Sequence, residues 1–163
     1  MWQQQMKNRH FVSDSIQSGT QVAALCWRKT DAQVQVLLIT SRDTGRWVLP
    51  KGWTMKGLSA PDAAAVEAWE EAGVEGNVAP DPLGYFEYDK VLTADLSHPC
   101  MVSVYPLKVT GLSRRFPEQK ERRRKWFTPA KAATKVLEPE LQALFIGLCD
   151  GTLTLPPCRK AQD

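Results

Sequence analysis

Three glutamates on one short stretch constrain this chain more than any other feature. Glu67, Glu70 and Glu71 lie three and four residues apart in a segment bounded by Gly52 and Gly73. On a helix, that spacing places the carboxylates on one face, where like charges repel by about 0.2–0.5 kcal/mol per pair. Carboxylate oxygens are ligands that suit Mg²⁺ or Mn²⁺, which leave further coordination positions to water and phosphate oxygens. The spacing therefore predicts a site for Mg²⁺ or Mn²⁺ and a diphosphate group.

The same stretch carries the signals of a helix with defined ends. Ser59 is the expected N-cap, with Asp62 as its capping-box partner, and Pro61 falls in the first turn, where its missing N–H costs nothing. Gly73 is a natural C-terminal stop. Alanines at positions 64, 65, 68 and 72 flank the glutamates, and small side chains allow the helix to pack closely against a sheet. The acidic face is therefore expected near the loops that rim this sheet.

Length and composition favour one ordinary globular domain. The 163 residues are enough to bury a core, and the net charge of +3 gives no general signal for nucleic acid. The four cysteines form no C-x-x-C pair and there are only two histidines, so we expect no zinc site. Neither a signal peptide nor a membrane-spanning apolar run is visible, and we expect a cytoplasmic protein without membrane association. The sequence indicates no oligomeric state.

The order of apolar segments predicts one α/β unit. A flexible segment is expected at 1–18, the domain at 19–151 and a tail at 152–163. Pro106 predicts that its strand lies at a sheet edge or carries a bulge. A loop is expected after Pro50, an undefined connection at 91–99 and a basic loop at 111–125. The predicted strands are 20–27, 34–40, 46–50, 74–78, 83–88, 100–109 and a short strand ending at 127, and the predicted helices are 59–73, 129–137 and 139–151.

The stretch around the glutamates resembles the signature of the Nudix hydrolase family. That signature is a glycine, five residues, a glutamate, seven residues and then Arg-Glu-apolar-x-Glu-Glu-x-Gly-apolar. Leu58 stands at the place of the first glutamate and Val66 at the place of the arginine. The matching residues are Gly52, Glu67, Ala68, Glu70, Glu71, Gly73 and Val74. The resemblance extends over roughly 21–148, which makes chance similarity of fold improbable.

The resemblance implies an α/β/α sandwich around a mixed β-sheet and a hydrolase that cleaves a diphosphate linkage with Mg²⁺ or Mn²⁺. Residues 40–52 and 123–137 are most similar to the branch of diphosphoinositol polyphosphate and diadenosine polyphosphate phosphohydrolases. The expected substrate is a nucleoside diphosphate derivative, a dinucleoside polyphosphate or a diphosphoinositol polyphosphate. Inositol-directed members carry basic residues before the first strand, whereas this chain has none at 19–22, which favours the nucleotide substrates.

Carried over by position, the resemblance also implies roles for individual residues. Glu67 and Glu71 are the implied metal ligands, and the backbone of Gly52 lies against the metal, where substrate phosphates can approach. The implied catalytic acids are Glu70 and Glu71, with Glu70 either a further ligand or a group that positions the attacking water. The expected substrate contacts are Arg42, Lys51, Trp53 and Arg123.

The two departures from the signature leave the activity open. In the family, the arginine pairs with and orients a metal-binding glutamate, which Val66 cannot do, and Leu58 removes a carboxylate. Slow turnover, altered metal preference and loss of catalysis are all compatible with these changes. The alternative is a non-catalytic Nudix-fold module that binds a nucleotide or a protein. Candidates to replace the missing carboxylate are Glu87, Asp89, Glu118 and Glu121.

The basic run 122–125 is open to three interpretations: a solvated loop, a phosphate clamp or a nucleic-acid contact. We expect most of its side chains to be solvated and one or two to contact phosphate. RNA binding is weakly supported because no aromatic residues are interleaved with the charges as a stacking platform.

Overall fold

The computed structural model of the protein describes residues 20–156. The predicted flexible segment 1–18 and most of the predicted tail lie outside these residues. Within them, eight strands form one sheet and three helices flank it. The strands are β1 (Thr20–Thr30), β2 (Gln33–Thr40), β3 (Trp47–Val48), β4 (Lys51–Trp53), β5 (Val74–Val78), β6 (Gly84–Thr93), β7 (Leu96–Leu112) and β8 (Arg124–Phe127). The helices are α1 (Ala60–Ala72), α2 (Pro129–Lys135) and α3 (Pro139–Asp150).

Strand β1 lies at the centre of a mixed sheet. It pairs antiparallel with β2 and β4 and parallel with β7, in a register that runs from Thr20 opposite Met101 to Trp27 opposite Lys108. The main path of the sheet is β3-β2-β1-β7-β5, with β8 paired to β2 and β6 paired to β7. The predicted mixed sheet is confirmed.

The two faces of the sheet bury separate apolar clusters. Because side chains alternate along a strand, Leu25 and Trp27 of β1 face α2 and α3, whereas Ala24 and Cys26 face α1. Each face therefore has its own helical layer. This arrangement is the predicted α/β/α sandwich.

Helix α1 begins and ends where the sequence predicted. The Ser59 hydroxyl accepts a hydrogen bond from the Asp62 N–H at 3.2 Å, and Gly73 ends the helix with a left-handed φ of 66°. The side chains that face the sheet are small and fully buried: Ala63, Ala64, Ala68 and Ala72. Small side chains bring the helix close to the sheet, so the neighbouring glutamates lie next to β4.

Strand β4 corrects the prediction of a loop directly after Pro50. Residues Lys51–Trp53 pair antiparallel with β1, with Gly52 opposite Val22. A three-residue strand carries too short a pattern to be recognised by alternation, and only its partner β1 defines it. The consequence is that Gly52 is fixed in the sheet.

The connection 91–99 and Pro106 also differ from expectation. Residues 84–112 form a long hairpin in which β6 runs to Thr93 and β7 begins at Leu96. Pro106 lies inside β7, opposite Leu25 of β1, so the predicted edge position is wrong. Its carbonyl accepts a hydrogen bond from the Ala79 N–H at 2.8 Å, on the side away from β1. The missing N–H thus faces the gap where β7 changes partner from β6 to β5 and removes no pairing with β1.

Two properties of the helices bear on the sequence predictions: their length and the residue at which α2 ends. None of the three described helices is long and apolar enough to cross a membrane. Helix α2 ends at Lys135, two residues before its predicted end, because Val136 is extended.

Candidate active site

The site is built where β4 meets α1. Gly52 and Glu67 are both buried, and Glu67 is only 3% exposed. A Cβ atom added to Gly52 would overlap the Glu67 carboxylate. Gly52 lies on a strand and is absent from the positive-φ glycines, so the position requires glycine for close approach and not for a turn. In this structure, the side chain that lies against Gly52 is that of Glu67.

Both oxygens of the second buried carboxylate, Glu71, are engaged. Glu71 is 9% exposed, and its Oε2 accepts a hydrogen bond from the backbone N–H of Lys51 at 3.1 Å. Its Oε1 accepts a hydrogen bond from Nη2 of Arg122 at 3.2 Å. Strand β4 and the segment before β8 thus hold this carboxylate from two sides.

Arg122 is the site residue that sequence reasoning missed. Its side chain is 7% exposed and bonds Glu71, Glu118 and the carbonyl of Thr40, with Nη2 and Nε at 3.1 and 3.2 Å from Glu118 Oε1. The sequence prediction treated it as one of several solvated charges. The available signal was weak: an acid and a base four residues apart, at 118 and 122, which usually indicates a surface pair.

Ionising the carboxyl groups of the site would place several negative charges close together in a buried position. Burial, followed by repulsion from Glu71, Glu70 and Glu118, raises the pKa of Glu67. Burial also raises the pKa of Glu71, although the nearby charges of Arg122 and Lys51 lower it. Burial and the charge of Glu118 raise the pKa of the half-buried Glu70. A divalent cation would offset this charge, and the oxygen donors match the preference of Mg²⁺ or Mn²⁺.

The side chains are not yet gathered around a metal position. Within residues 20–156, no three His, Cys, Asp or Glu side chains are close enough together to hold an ion. Arg122 Nη2 instead bridges Glu71 and Glu118, at 3.2 and 3.1 Å from their oxygens. The donor set, Glu67, Glu71 and Glu118, fits a divalent cation chemically.

A polar cleft of about 390 Å³ opens beside the carboxylates. Its lining includes Gly52 and Glu71, the loop between β2 and β3, and residues 88–91 of β6. Its basic lining residues are Arg42, Arg46, Lys51, Lys90 and Arg122, against the acids Asp43, Glu71 and Asp89. Basic side chains that line a polar cleft beside carboxylates suit a ligand that carries several phosphates.

A profile described as the NUDIX domain matches residues 19–145. The chain belongs to the Nudix family. It is 35% identical over 120 residues to Nudix hydrolase 16, mitochondrial, of Arabidopsis thaliana, across 71% of this chain and 66% of that protein. It is 36% identical over 119 residues to diphosphoinositol polyphosphate phosphohydrolase 3-alpha of Mus musculus, across 71% of this chain and 67% of that protein.

Solved structures give the same fold. The C. elegans Ap4A hydrolase superposes with a TM-score of 0.63 at 19% identity, over 83% of this chain and 98% of that chain. A NUDIX hydrolase from Nitrosomonas europaea superposes with a TM-score of 0.63 at 18% identity, over 84% and 92%. At such identities, the likeness establishes the fold alone.

The plant relatives are longer than the matched region. This chain spans 66%, 52% and 51% of the length of Nudix hydrolases 16, 13 and 12 of Arabidopsis thaliana. All three are named as mitochondrial, and the cytoplasmic location of this chain stays a prediction.

Three of the four expected substrate contacts line the cleft of this Nudix domain. Arg42 is exposed and forms ion pairs with Glu118 and Glu121 at 3.4 and 3.6 Å. The Nζ of Lys51 lies 4.9 Å from the centre of the Tyr88 ring, and burial lowers the pKa of this lysine. Trp53 lines the cleft but is only 6% exposed, and Lys90 Nζ lies 4.8 Å from the centre of its ring.

Arg123 and Glu70 lie outside the residues that line the cleft. Arg123 is exposed, and its backbone N–H and carbonyl bond to Thr40 at 2.8 and 2.9 Å, while the preceding arginine enters the site. The carbonyl of Glu70 accepts a hydrogen bond from the Glu118 N–H at 3.0 Å. This contact docks the segment that carries Glu118 onto α1.

The candidate replacement acids separate in space. Glu118 lies in the site through its bonds to Arg122, and Asp89 of β6 is among the residues that line the cleft. Glu121 is exposed and pairs with Arg42, and Glu87 is exposed on the hairpin. The departure Leu58 is 41% exposed, and Val66 is half-buried on α1. Glu118 is therefore the acid best placed to supply a further carboxylate.

Proposed function

We propose that this Nudix protein is a Mg²⁺- or Mn²⁺-dependent hydrolase that cleaves a phosphoanhydride bond in a small molecule. The observation that carries the proposal is the burial of Glu67 against Gly52 and of Glu71 on the same helix, next to a cleft that Gly52, Glu71 and five basic side chains line. Buried acids with raised pKa values in a cleft are typical of functional sites. In a protein without such a role, burying two carboxyl groups with raised pKa values only costs stability.

Each group in the proposed site has a role that follows from its position. Glu67 and Glu71 would hold the metal next to the Gly52 backbone, and Glu118, whose Oε1 is bonded to Arg122, would be a further donor through its other oxygen. When bound, Mg²⁺ or Mn²⁺ supplies neutralisation of phosphate charge and activation of water. Glu70 and Glu71 position the attacking water or accept its proton, for which raised pKa values are suited.

The basic side chains of the cleft bind the substrate. Arg42 is exposed and can exchange Glu118 and Glu121 for a phosphate, while Lys51 lies deeper beside Tyr88. Both offset charge that develops on the leaving phosphate. Of Arg122 and Arg123, only Arg122 is among the residues that line the cleft, and its guanidinium already bonds Glu71, Glu118 and the Thr40 carbonyl. Trp53 contributes to the cleft wall, with Lys90 Nζ over its ring.

Three substrate classes fit this chemistry: nucleoside diphosphate derivatives, dinucleoside polyphosphates and diphosphoinositol polyphosphates. The mouse relative is named a diphosphoinositol polyphosphate phosphohydrolase, which supports the third class, and the C. elegans protein is named an Ap4A hydrolase, which supports the second. The absence of basic residues at 19–22 favours the nucleotide substrates. All three contain a phosphoanhydride linkage, and its negative charge suits the basic side chains that line the cleft.

A second candidate is a non-catalytic module that binds a nucleotide or a protein. It is favoured by Leu58 and Val66 at signature positions and by the lack, within residues 20–156, of three converged metal-binding side chains. Under this alternative, the cleft still binds phosphates through its basic residues, but no bond is cleaved.

A substrate panel with product analysis tests both candidates. We expect phosphate or nucleotide release that requires Mg²⁺ or Mn²⁺ and is reduced at least about a hundredfold in Glu71→Gln. Glu75→Gln, the same change at an exposed acid on β5, is the control and should retain full activity. Thermal stabilisation by a panel compound without any turnover would support the module, and equal activity of Glu71→Gln and the wild type would exclude the proposed site.

A further inference from the structure

The guanidinium of Arg122 is buried in the site and is hydrogen-bonded to protein groups there, unlike that of a solvated arginine. Its guanidinium bonds three separate segments: Glu71 on α1, the carbonyl of Thr40 at the end of β2, and Glu118 in the connection before β8. A buried guanidinium is costly unless its N–H groups are satisfied, and here all three of its nitrogens donate. The contacts therefore define one geometry for the arginine and its partners.

The contact with Glu71 fixes the direction of the carboxylate. A glutamate side chain rotates freely about its last torsion unless both oxygens are held. The Lys51 N–H holds Oε2 at 3.1 Å, and Arg122 Nη2 holds Oε1 at 3.2 Å. Removing Arg122 would leave only one of these two anchors.

The same guanidinium places Glu118. This residue belongs to the connection 113–123, which we name the site loop, and its Oε1 accepts two hydrogen bonds from Arg122. The Glu118 N–H donates to the carbonyl of Glu70 on α1 at 3.0 Å. The loop is thus held onto the acidic face of the helix by a backbone bond and by Arg122.

We propose that Arg122 is the positioning residue of the acidic site: from the site loop, it sets the orientation of Glu71 and the place of Glu118. This inference rests on the proposed metal-dependent function for its consequence, but the positioning itself concerns residues of this chain alone. Arg122 lies 51 residues from Glu71, and the helix position before Glu67 carries Val66, which has no donor for this purpose.

The alternative role of Arg122 is that of a simple counter-ion. The two roles predict opposite changes in metal affinity when Arg122 is removed. If its charge only neutralises the carboxylates, removing it leaves more negative charge and tightens cation binding. If it orients the carboxylates, removing it weakens binding, because loss of a group that orients a ligand costs about 10–100-fold in metal affinity. Metal affinity is therefore informative without any assay of turnover.

The experiment measures Mn²⁺ affinity by titration calorimetry or paramagnetic resonance for the full chain. We expect Arg122→Gln to bind Mn²⁺ about 10–100-fold more weakly than the wild type. Arg122→Lys keeps the charge but not the fork of donors, so it should also bind more weakly than the wild type, whereas a counter-ion role predicts full affinity. Unchanged or tighter Mn²⁺ binding in Arg122→Gln would overturn the proposal.

Arg124→Gln is the matched structural control. Arg124 lies two residues further on, where its Nη1 donates to the carbonyl of Ala72 at 2.6 Å and its guanidinium stacks on Phe116 of the site loop. Its loss should lower the melting temperature but change Mn²⁺ affinity less than about threefold. Equal weakening of Mn²⁺ binding in Arg124→Gln and Arg122→Gln would mean that Arg122 only anchors the loop.

A readout in the metal-free protein separates this proposal from the proposed function. Hydrogen exchange at the Lys51 amide reports on its bond to Glu71. It should be faster in Arg122→Gln by about tenfold and unchanged relative to the other β4 amides in Arg124→Gln. If the wild type bound no Mn²⁺, the metal-dependent function would fail, and the Lys51 exchange would still decide the role of Arg122: faster exchange supports it and unchanged exchange overturns it.

Discussion

Gly52 lies so close to Glu67 that a Cβ atom on its backbone would overlap the carbon and both oxygens of the carboxylate. Strand β4 and helix α1 are thus in contact at Glu67, which is more deeply buried than Glu71. The strand pairs with β1 on its other side, so it has no freedom to move away. Any side chain at position 52 must displace Glu67.

Gly52→Ala is therefore expected to weaken Mn²⁺ binding and turnover by at least about tenfold, because a displacement of about 1 Å in a catalytic group can cost a hundredfold in rate. Overpacking should also lower stability by about 1–3 kcal/mol. Calorimetric Mn²⁺ titration and urea unfolding measure the two effects. Gly111→Ala is the control, since its added Cβ would meet only the Glu75 carboxylate at an ordinary 3.6 Å.

A double-mutant cycle identifies the partner of the added methyl group. In a Glu67→Ala background, the atoms that Gly52→Ala would displace are gone, so its cost in stability should fall to less than half. Additive effects of the two substitutions would mean that position 52 is constrained by something other than Glu67.

The raised pKa of Glu67 makes the metal-free protein sensitive to pH. Its folded pKa lies near 9 and its ordinary value is 4.5, so the folded state retains a proton that the unfolded state releases between these values. The contribution of Glu67 to stability is therefore greatest below about pH 4.5 and is lost as pH rises towards its folded pKa, by at most about 1.4 kcal/mol per pH unit for one proton. We expect the contribution of Glu67 to lower the midpoint of urea unfolding between pH 6 and pH 8.5.

Glu67→Gln and Mg²⁺ check that prediction. The substitution removes the titrating group and should flatten the slope with pH. Mg²⁺ binds the charged carboxylates and should stabilise the wild type more at pH 8.5 than at pH 6. A wild-type slope unchanged by Glu67→Gln would assign the titration to another group.

The elements with local signals were predictable from the sequence. Helix α1 begins at Ser59 and ends at Gly73 because a hydroxyl cap and a left-handed glycine act within one turn of the chain. The apolar runs of β1 and β2 likewise follow from burial on both faces of a central sheet. These features depend on neighbours in sequence, and a single chain displays them.

The remaining features depend on partners that are distant in sequence. The role of Arg122 exists only because the site loop folds onto α1, and nothing beside it in sequence separates it from Arg123. Gly52 was expected to admit phosphate, but the fold places Glu67 in that space. Strand β4 is likewise defined by its pairing with β1.

Val66→Arg tests whether Arg122 compensates for the signature arginine. In the wild-type background, Glu71 already has a guanidinium partner, so the added arginine should change Mn²⁺ affinity less than about threefold. In an Arg122→Gln background, it should recover most of the lost affinity. Failure of recovery, with the double variant as weak as Arg122→Gln, would show that an arginine on α1 cannot reach the carboxylate in this chain.

An ion pair between Arg46, which lines the cleft, and the buried Glu138 sets the last expectation. Arg46 Nη2 lies 2.7 Å from Glu138 Oε1, and the two side chains are 28% and 8% exposed. The pair joins the loop before β3 to the start of α3, and Glu138 makes no side-chain cap to that helix. Its contribution is thus an ion pair without a capping bond.

Glu138→Ala should lower the free energy of unfolding by about 2–3 kcal/mol, because it leaves the half-buried guanidinium without its partner; the partial exposure of Arg46 keeps the cost below that of a fully buried pair. Replacing both residues, Arg46→Met with Glu138→Leu, should cost less than Glu138→Ala alone, since no unpaired charge remains. Urea unfolding measures both, and Glu140→Ala, an exposed acid in the first turn of the same helix, is the control. If the double variant were less stable than Glu138→Ala, the pair would contribute net stability and not merely avoid an unpaired charge.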